Sequence, residues 1–365
     1  MNHLLCSKCN QTYSLDKPIW KCDCNGLLNL EFRAIINKND LKNRPPNMWR
    51  YREAIPVNNN ENIVSFKEGF TPLVDLNISN QNVKIKLEQL FITGTFKDRG
   101  ASVLLSKIKE LNINNIVEDS SGNAGSAIAA YSARAGINCD IYVPSSTSPA
   151  KLVQIVRYGA TLHKINGNRE DTAKAAMKAA QTHYYASHYY NPFFFQGTKT
   201  IAYEIWEQLN FNAPDTMIIP AGNGTLLLGT YTGFEDLLKN NLIKKIPRLI
   251  AVQSDRCDPL YKMFHEKLDM LPAIEKKTTL AEGIAIREPV RASQIIQCIK
   301  ETRGTVIKVH DREIEASLIE VSKKGIYVEP TSATVIAALK KYNPEKDEII
   351  VLPMTGHGLK CSNIF

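Results

Sequence analysis

The sequence predicts an α/β protein. Short apolar runs of strand length recur along the chain, and amphipathic stretches of about 10–15 residues lie between several of them. Gly- and Ser-rich turns stand where some of these runs give way to helical pattern. Strands joined through helices run parallel, because the connection must carry the chain back before the next strand begins. A chain of 365 residues, 44% of them hydrophobic, has material for about two such domains.

In chain order, residues 1–30 read as a small separate unit containing four cysteines. Residues 31–80 are mixed, with Arg44-Pro45-Pro46 and the Asn-rich stretch Asn58–Asn62 as loops. Strands are then expected at Lys84–Leu87, Asn115–Glu118, Asp140–Val143, Thr161–Ile165, Thr216–Ile219, Leu249–Gln253, Thr305–Val309 and Glu348–Leu352. Between them, Ala101–Leu111 carries Val103, Leu104, Leu105, Ile108 and Leu111 on one broad face, as a half-buried helix requires. Ala124–Arg134 repeats the pattern and meets Gly136, a natural helix stop. No internal repeat interrupts this order.

Composition excludes several classes of function. No run approaches the roughly 18 apolar residues that would cross a bilayer. Met1–Cys6 lacks the basic start and long apolar core of a secretory signal, so a cytoplasmic protein without membrane attachment is expected. The formal charge is +8, but the basic residues are mixed with acids, as at Lys107, Lys109 and Glu110, and do not alternate with aromatics. A nucleic-acid partner is therefore not expected, and the positive excess suits an anionic small molecule better.

Of eight cysteines, Cys139, Cys257, Cys298 and Cys361 are scattered, like buried thiols of a reducing compartment. Cys6 and Cys9, then Cys22 and Cys24 with Gly26 behind them, resemble the paired knuckles of a zinc ribbon. Four thiolates at such short spacings can close around a tetrahedral ion, and so small a segment has almost no core of its own. The second pair is Cys-x-Cys rather than Cys-x-x-Cys. A structural zinc is the leading expectation, with a metal-free remnant and a redox pair as the others.

Lys97 closes the turn Thr93-Gly-Thr-Phe and opens a helical pattern. A helix start presents free N–H groups and a positive dipole end, which favours a neutral, nucleophilic amine able to bond an aldehyde. Asp119-Ser-Ser-Gly-Asn123-Ala124-Gly125 is a second anchor, where small residues and successive N–H groups can hold a carboxylate. Pro220-Ala-Gly-Asn-Gly-Thr225-Leu226 follows a strand and can cradle a phosphate, yet it matches neither nucleotide-binding pattern. Val328-Glu329-Pro-Thr-Ser-Ala333 opens another helix, either as an ordinary cap or as part of a site. Thr355, after the last strand, can offer a hydroxyl to a ring nitrogen or close a turn.

In this order, the lysine, the Ser-Gly-Asn loop, the Gly-rich cradle and the Thr-Gly-x-Gly tail resemble the pyridoxal 5'-phosphate (PLP) enzymes built like the tryptophan synthase β chain (fold type II). Within that group the chain resembles the threonine synthases. The likeness runs through the Cys-rich start, Glu68–Leu73, Gly94–Gly100, Ser120–Ala127, Ala130–Gly136, Gly197–Thr200, Gly325–Ala333 and Thr355–Lys360. It implies two open parallel-sheet subdomains in residues 31–365 with the cofactor between them, beside the zinc-ribbon-like residues 1–30, and a homodimer.

By this resemblance Lys97 bonds the cofactor and moves the substrate's α-proton. Asn123 meets the cofactor's phenolic oxygen. Gly222, Asn223, Gly224 and Thr225 hold its phosphate, with Leu226 at the helix opening, and Thr355 meets the pyridine nitrogen. Ser120, Ser121, Gly122 and Ala124 clamp the carboxylate of an amino-acid substrate. A neutral hydroxyl on the ring makes a milder electron sink, suited to elimination and replacement at the β or γ carbon.

The expected reaction converts O-phosphohomoserine and water into threonine and phosphate. Three departures keep other substrates open: Phe194 stands where the family pattern has an arginine, Ala124 replaces a threonine, and Ala281–Ile286 is similar to the corresponding stretch of serine/threonine dehydratases. The alternatives are β-replacement or β-elimination on a phosphoserine, serine or threonine, and a non-catalytic regulatory protein keeping the fold. Lys86 and Lys199 are the candidate cations for a substrate phosphate. Phe193–Phe195 with Tyr189 and Tyr190 form either a pocket wall or plain core.

Overall fold

The computed structural model describes residues 2–167, 169–275 and 277–361. Its strands are β1 His3–Cys6, β2 Thr12–Tyr13, β3 Leu28–Glu31, β4 Leu73–Ile78, β5 Gln81–Lys86, β6 Asn115–Glu118 and β7 Asn138–Pro144, followed by β8 Thr161–Ile165, β9 Tyr184–Tyr185, β10 Thr216–Pro220, β11 Arg248–Ser254, β12 Thr305–Val309 and β13 Ile350–Pro353. The chain forms two compact units, each discontinuous in sequence: residues 1–69 with 97–198, and residues 70–96 with 199–365.

The first unit holds a four-stranded sheet in the order β8-β7-β6-β9, parallel throughout. The helix Lys97–Glu110 leads into β6, and the crossovers include the helices Asn123–Ala135, Pro149–Arg157 and Arg169–Ala179. Asn123–Ala135 stops at Gly136, which adopts the left-handed conformation (φ 69°) expected of that glycine. Residues 1–31 add an antiparallel sheet in the order β2-β1-β3. Its Leu4, Cys6, Cys22 and Leu28 join one apolar core with Leu104, Ile108, Ile116, Tyr131 and Phe193. That shared core explains how so small a sheet is held, since alone it would bury too little to be stable.

The second unit is a six-stranded sheet in the order β12-β11-β10-β13-β5-β4, parallel except for the edge strand β4. The central strands β10 and β13 are buried along their whole length, which is why they read as unbroken apolar runs. Ile85, Ile218, Val252, Leu318, Ile336 and Leu352 share its core. The β4–β5 hairpin turns at Ser79 and Asn80, both at positive φ (49° and 65°), the geometry of a tight two-residue hairpin turn.

The α/β class and the parallel sheets agree with the sequence reading, and each of the eight expected strands overlaps an observed one. β4 and the two-residue β9 were not anticipated. Among the described residues, no helix is long and apolar enough to cross a membrane.

Candidate active site

In the first unit, Lys97 is the first residue of the helix Lys97–Glu110, as the turn before it suggested. Its ammonium lies 5.6 Å from the centre of the Phe194 ring, in range of a cation–π contact. Phe194 is fully buried. Its ring packs so close to Gly100 that a Cβ there would come within 2.3 Å of it. Phe193–Phe195 are thus core residues of the helix Pro192–Thr198, and Phe194 also floors the lysine.

The Ser120–Gly125 loop leaves the C-terminal end of β6. Ser120 Oγ accepts from Gly122 N–H at 3.3 Å, and Gly122 caps the helix Asn123–Ala135 without any side-chain hydrogen bond. With glycine at the N-cap, no side chain of that residue covers the helix start, an arrangement that suits an anion. Asn123 and Ala124 occupy its first turn, so Ala124 contributes backbone only.

Two acids stand at the start of this loop: Asp119 opens the sequence motif but was given no role there, and Glu118 was not singled out. Glu118 is fully buried and shares a 2.7 Å hydrogen bond with His188 Nδ1. Asp119 Oδ2 accepts from the Tyr189 hydroxyl at 2.8 Å, while Asp119 Oδ1 and Glu118 Oε2 are buried without partners. Burial, then the charge of Asp119, pushes the Glu118 carboxyl well above the usual range. Burial, then the charges of Lys97 and Arg169, holds His188 well below its ordinary value. Both shifts favour the uncharged forms of this pair. The available signal was two consecutive acids at the end of an apolar strand.

In the second unit, the strand β10 runs into Gly222-Asn223-Gly224, and the helix Thr225–Lys239 follows with Leu226 buried in its first turn. Gly224 caps this helix at φ 72° with no side-chain cap. Only glycine adopts that conformation freely, and a Cβ here would also meet Ile295 at 2.3 Å. A Cβ on Gly222 would press on Ile284 at 2.9 Å. The loop is thus closed on its packed side and offers its own N–H groups and the helix dipole to a small phosphate, so these residues fit the phosphate of PLP.

Thr355 is buried at the end of β13. Its hydroxyl donates to Glu329 Oε1 at 3.3 Å and lies 3.1 Å from Ser332 Oγ. Glu329 sits at the N-cap of the helix Pro330–Leu339, but its side chain makes no capping bond. The Thr355 oxygen keeps lone-pair capacity for a ring N–H, and its own proton is committed to a carboxylate.

The candidate phosphate cations are placed differently from expectation. Lys86 is fully buried and donates to Glu204 Oε2 at 2.8 Å, Thr71 O at 2.7 Å and Gln208 Oε1 at 2.9 Å. Lys199 is buried against Asp236 at 2.9 Å, and Asp236 also accepts from Tyr203. Both ammonium groups neutralise buried carboxylates and serve as internal struts.

Cys6, Cys9, Cys22 and Cys24 converge, all four sulfurs lying within 4.8 Å of one another. Cys6–Cys24 and Cys9–Cys22 are 3.5 and 3.6 Å apart. A zinc–sulfur bond of about 2.3 Å in a tetrahedron requires sulfurs roughly 3.8 Å apart, so the donor set fits zinc in kind and size. A Cβ on Gly26 would come within 2.4 Å of the Cys6 sulfur, which accounts for the glycine behind the second pair.

Comparison with known proteins places these features in a lineage. A family model described as pyridoxal-phosphate dependent enzyme matches residues 64–356. The threonine synthase of Methanocaldococcus jannaschii is 35% identical, over 97% of this chain and 92% of its own length. That of Methanosarcina acetivorans is 33% identical, over 99% and 92%. Among solved structures, the serine racemase of Dictyostelium discoideum matches with a TM-score of 0.67 at 26% identity, over 79% of this chain and 92% of that one. The processed form of threonine deaminase isoform 2 from Solanum lycopersicum matches at 0.66 and 21% identity, over 79% of each, a likeness of fold alone.

Proposed function

The chain belongs to the pyridoxal-phosphate-dependent enzyme family, and from that premise we propose that it is a threonine synthase, turning O-phosphohomoserine and water into threonine and phosphate. The observation that carries this is the near end-to-end match to threonine synthases, which takes in the cysteine-rich start as well as the cofactor motifs.

Gly222, Asn223, Gly224 and Thr225 would hold the cofactor phosphate, with Leu226 packing beneath, Thr355 at the ring nitrogen, Asn123 at the phenolic oxygen and Lys97 bonded at the aldehyde carbon. When bound, PLP supplies an electron sink for charge developing on the substrate's α carbon. Lys97, released once the substrate amine has displaced it from the aldehyde carbon, would take the α-proton. Ser120, Ser121, Gly122 and Ala124 would hold the substrate carboxylate at the start of the helix Asn123–Ala135 and so fix which α bond faces the ring. The Glu118–His188 pair keeps a polar but uncharged wall beside the lysine.

A second reading has a specific observation behind it. With Phe194 in the core and both Lys86 and Lys199 committed to carboxylates, the substrate phosphate loses its expected cations. We assign that role to Arg169, the first residue of the helix Arg169–Ala179. Should Arg169 not bind phosphate, β-elimination or β-replacement on serine, threonine or phosphoserine becomes the better reading. Phosphate release from O-phosphohomoserine is the deciding assay. Ammonia and a keto acid formed from serine or threonine, without phosphate release, would overturn the threonine synthase assignment.

We also propose one structural zinc on Cys6, Cys9, Cys22 and Cys24, supported by the sulfur geometry. The free buried thiols Cys139, Cys257 and Cys298 support a reducing, cytoplasmic setting. The exposed apolar Leu90, Ile92 and Leu359 support a homodimer through the second unit, where Lys360 donates to Thr93 O and joins their two segments.

A further inference from the structure

Trp20 lies in the cysteine-rich segment, two residues before Cys22, yet its ring packs on residues that adjoin the carboxylate loop. It meets Tyr185 edge-on at 4.8 Å and Tyr190 at 5.4 Å between ring centres. The Tyr185 and Tyr189 hydroxyls are 3.2 Å apart. Tyr189 donates in turn to Asp119 Oδ2 at 2.8 Å, and Asp119 is the residue immediately before Ser120. Asp119 is 3% exposed and its other oxygen is buried without a partner, so the Tyr189 hydroxyl carries the hold on that side chain. Tyr185 is fully buried and closes β9 beside β6, so each link is confined by packing.

We propose that Trp20 is a positioning residue for the substrate loop, acting through Tyr185, Tyr189 and Asp119. The inference rests on the reading of Ser120–Ala124 as the clamp for the substrate carboxylate. The cysteine-rich segment then does more than fold: its aromatic side chain braces the far side of the segment that fixes Asp119. Loss of the brace lets the first N–H groups of the helix Asn123–Ala135 drift from the arrangement that fits a carboxylate. Within Tyr184–Asn191, Tyr185 and Tyr190 pack on Trp20 while His188 and Tyr189 reach the two acids.

The test is amide hydrogen exchange of residues 119–126 in the holoenzyme, with KM and kcat for O-phosphohomoserine measured alongside. Trp20→Ala is expected to raise exchange at residues 121–125 roughly 2- to 10-fold, the range of one aromatic pair. Tyr189→Phe keeps the ring but strands the Asp119 carboxylate, and is expected to raise it roughly 5- to 100-fold. Trp20→Phe restores near-native exchange, and the double variant Trp20→Ala/Tyr189→Phe falls short of the product of the two single effects. In the active enzyme the variants raise KM with kcat largely retained. Tyr189→Phe leaves the cysteine segment intact, so it reads the path even if Trp20→Ala unfolds that segment. Unchanged exchange at 121–125 in Tyr189→Phe, or in a folded Trp20→Ala, overturns the proposal, as does full additivity in the double variant. The exchange readout needs no turnover, so an enzyme inert toward O-phosphohomoserine would defeat the substrate assignment and leave this test standing.

Discussion

Replacing Lys86 by methionine separates a strut from a ligand. Both Lys86 and Glu204 are fully buried, and their 2.8 Å ion pair is completed by Thr71 O and Gln208 Oε1 on the ammonium. Methionine fills nearly the same volume, so the cost is not a cavity but a stranded carboxylate. Removing one partner of a buried pair costs about 3–5 kcal/mol, because the remaining charge keeps its desolvation penalty and loses its compensation. A unit of this size loses about 2–4 °C per kcal/mol, so its melting temperature should fall on the order of 10 °C. Adding Glu204→Leu removes the orphan, and the pair should recover most of that loss, since apolar replacement of a buried ion pair is often neutral or better. The assay is thermal and urea unfolding of Lys86→Met, Glu204→Leu and the double variant, together with KM for the phosphorylated substrate. Native stability in Lys86→Met combined with a large rise in KM would refute the strut and return Lys86 to the substrate phosphate.

Lys97→Ala should abolish turnover and the borohydride-reducible bond to the cofactor; a reducible adduct surviving in that variant would place the bond on another lysine. Arg169→Ala should raise KM for O-phosphohomoserine roughly 10- to 100-fold, the worth of a charged hydrogen bond, while leaving any unphosphorylated substrate unaffected. Metal analysis should find one zinc per chain, and chelation should lower the melting temperature; substoichiometric zinc in protein purified without chelator would leave the cysteines metal-free. His188 is held below its ordinary 6.5, so its contribution to stability falls as pH drops below about 6.5. Glu118 is held above its ordinary 4.5, so its contribution is lost as pH rises above about 4.5. The two slopes oppose each other between those values. In His188→Asn the Glu118 slope should stand alone, stability falling with rising pH by up to about 1.4 kcal/mol per unit. A flat profile in that variant would mean that Glu118 is ionised when folded.

The parallel strands were legible because burial on both faces leaves an unbroken apolar run, as in Thr216–Pro220 and Ile350–Pro353. The edge strand β4 was missed because half its residues face outward and its turn, Ser79-Asn80, lacks glycine. β9 is two residues long and owes its place to neighbours in space. Lys86 read as a possible ligand because its partner Glu204 lies on a helix far along the chain, and sequence does not announce which buried charges will meet. Phe194 looked displaced from a family pattern; the packing of its ring on Gly100 and beneath Lys97 gives it a place of its own. Glu118 and His188 are likewise a long-range pair, visible only once β6 and residues 185–191 are side by side.

The order of strands in the second unit governs how the protein can be made. The hairpin β4–β5 is synthesised well before the strand it lies against, β13, with β10, β11 and β12 coming between them in the chain. Until then β5 carries an open apolar edge, and β10 lacks the neighbour that will separate it from the hairpin. A ribosome stalled before Ile350 would therefore present two unfinished edges of one sheet, each a template for the wrong strand. A chain stopped before β13 should aggregate during synthesis more than one that includes it, even though every residue assigned to PLP except Thr355 is already in place.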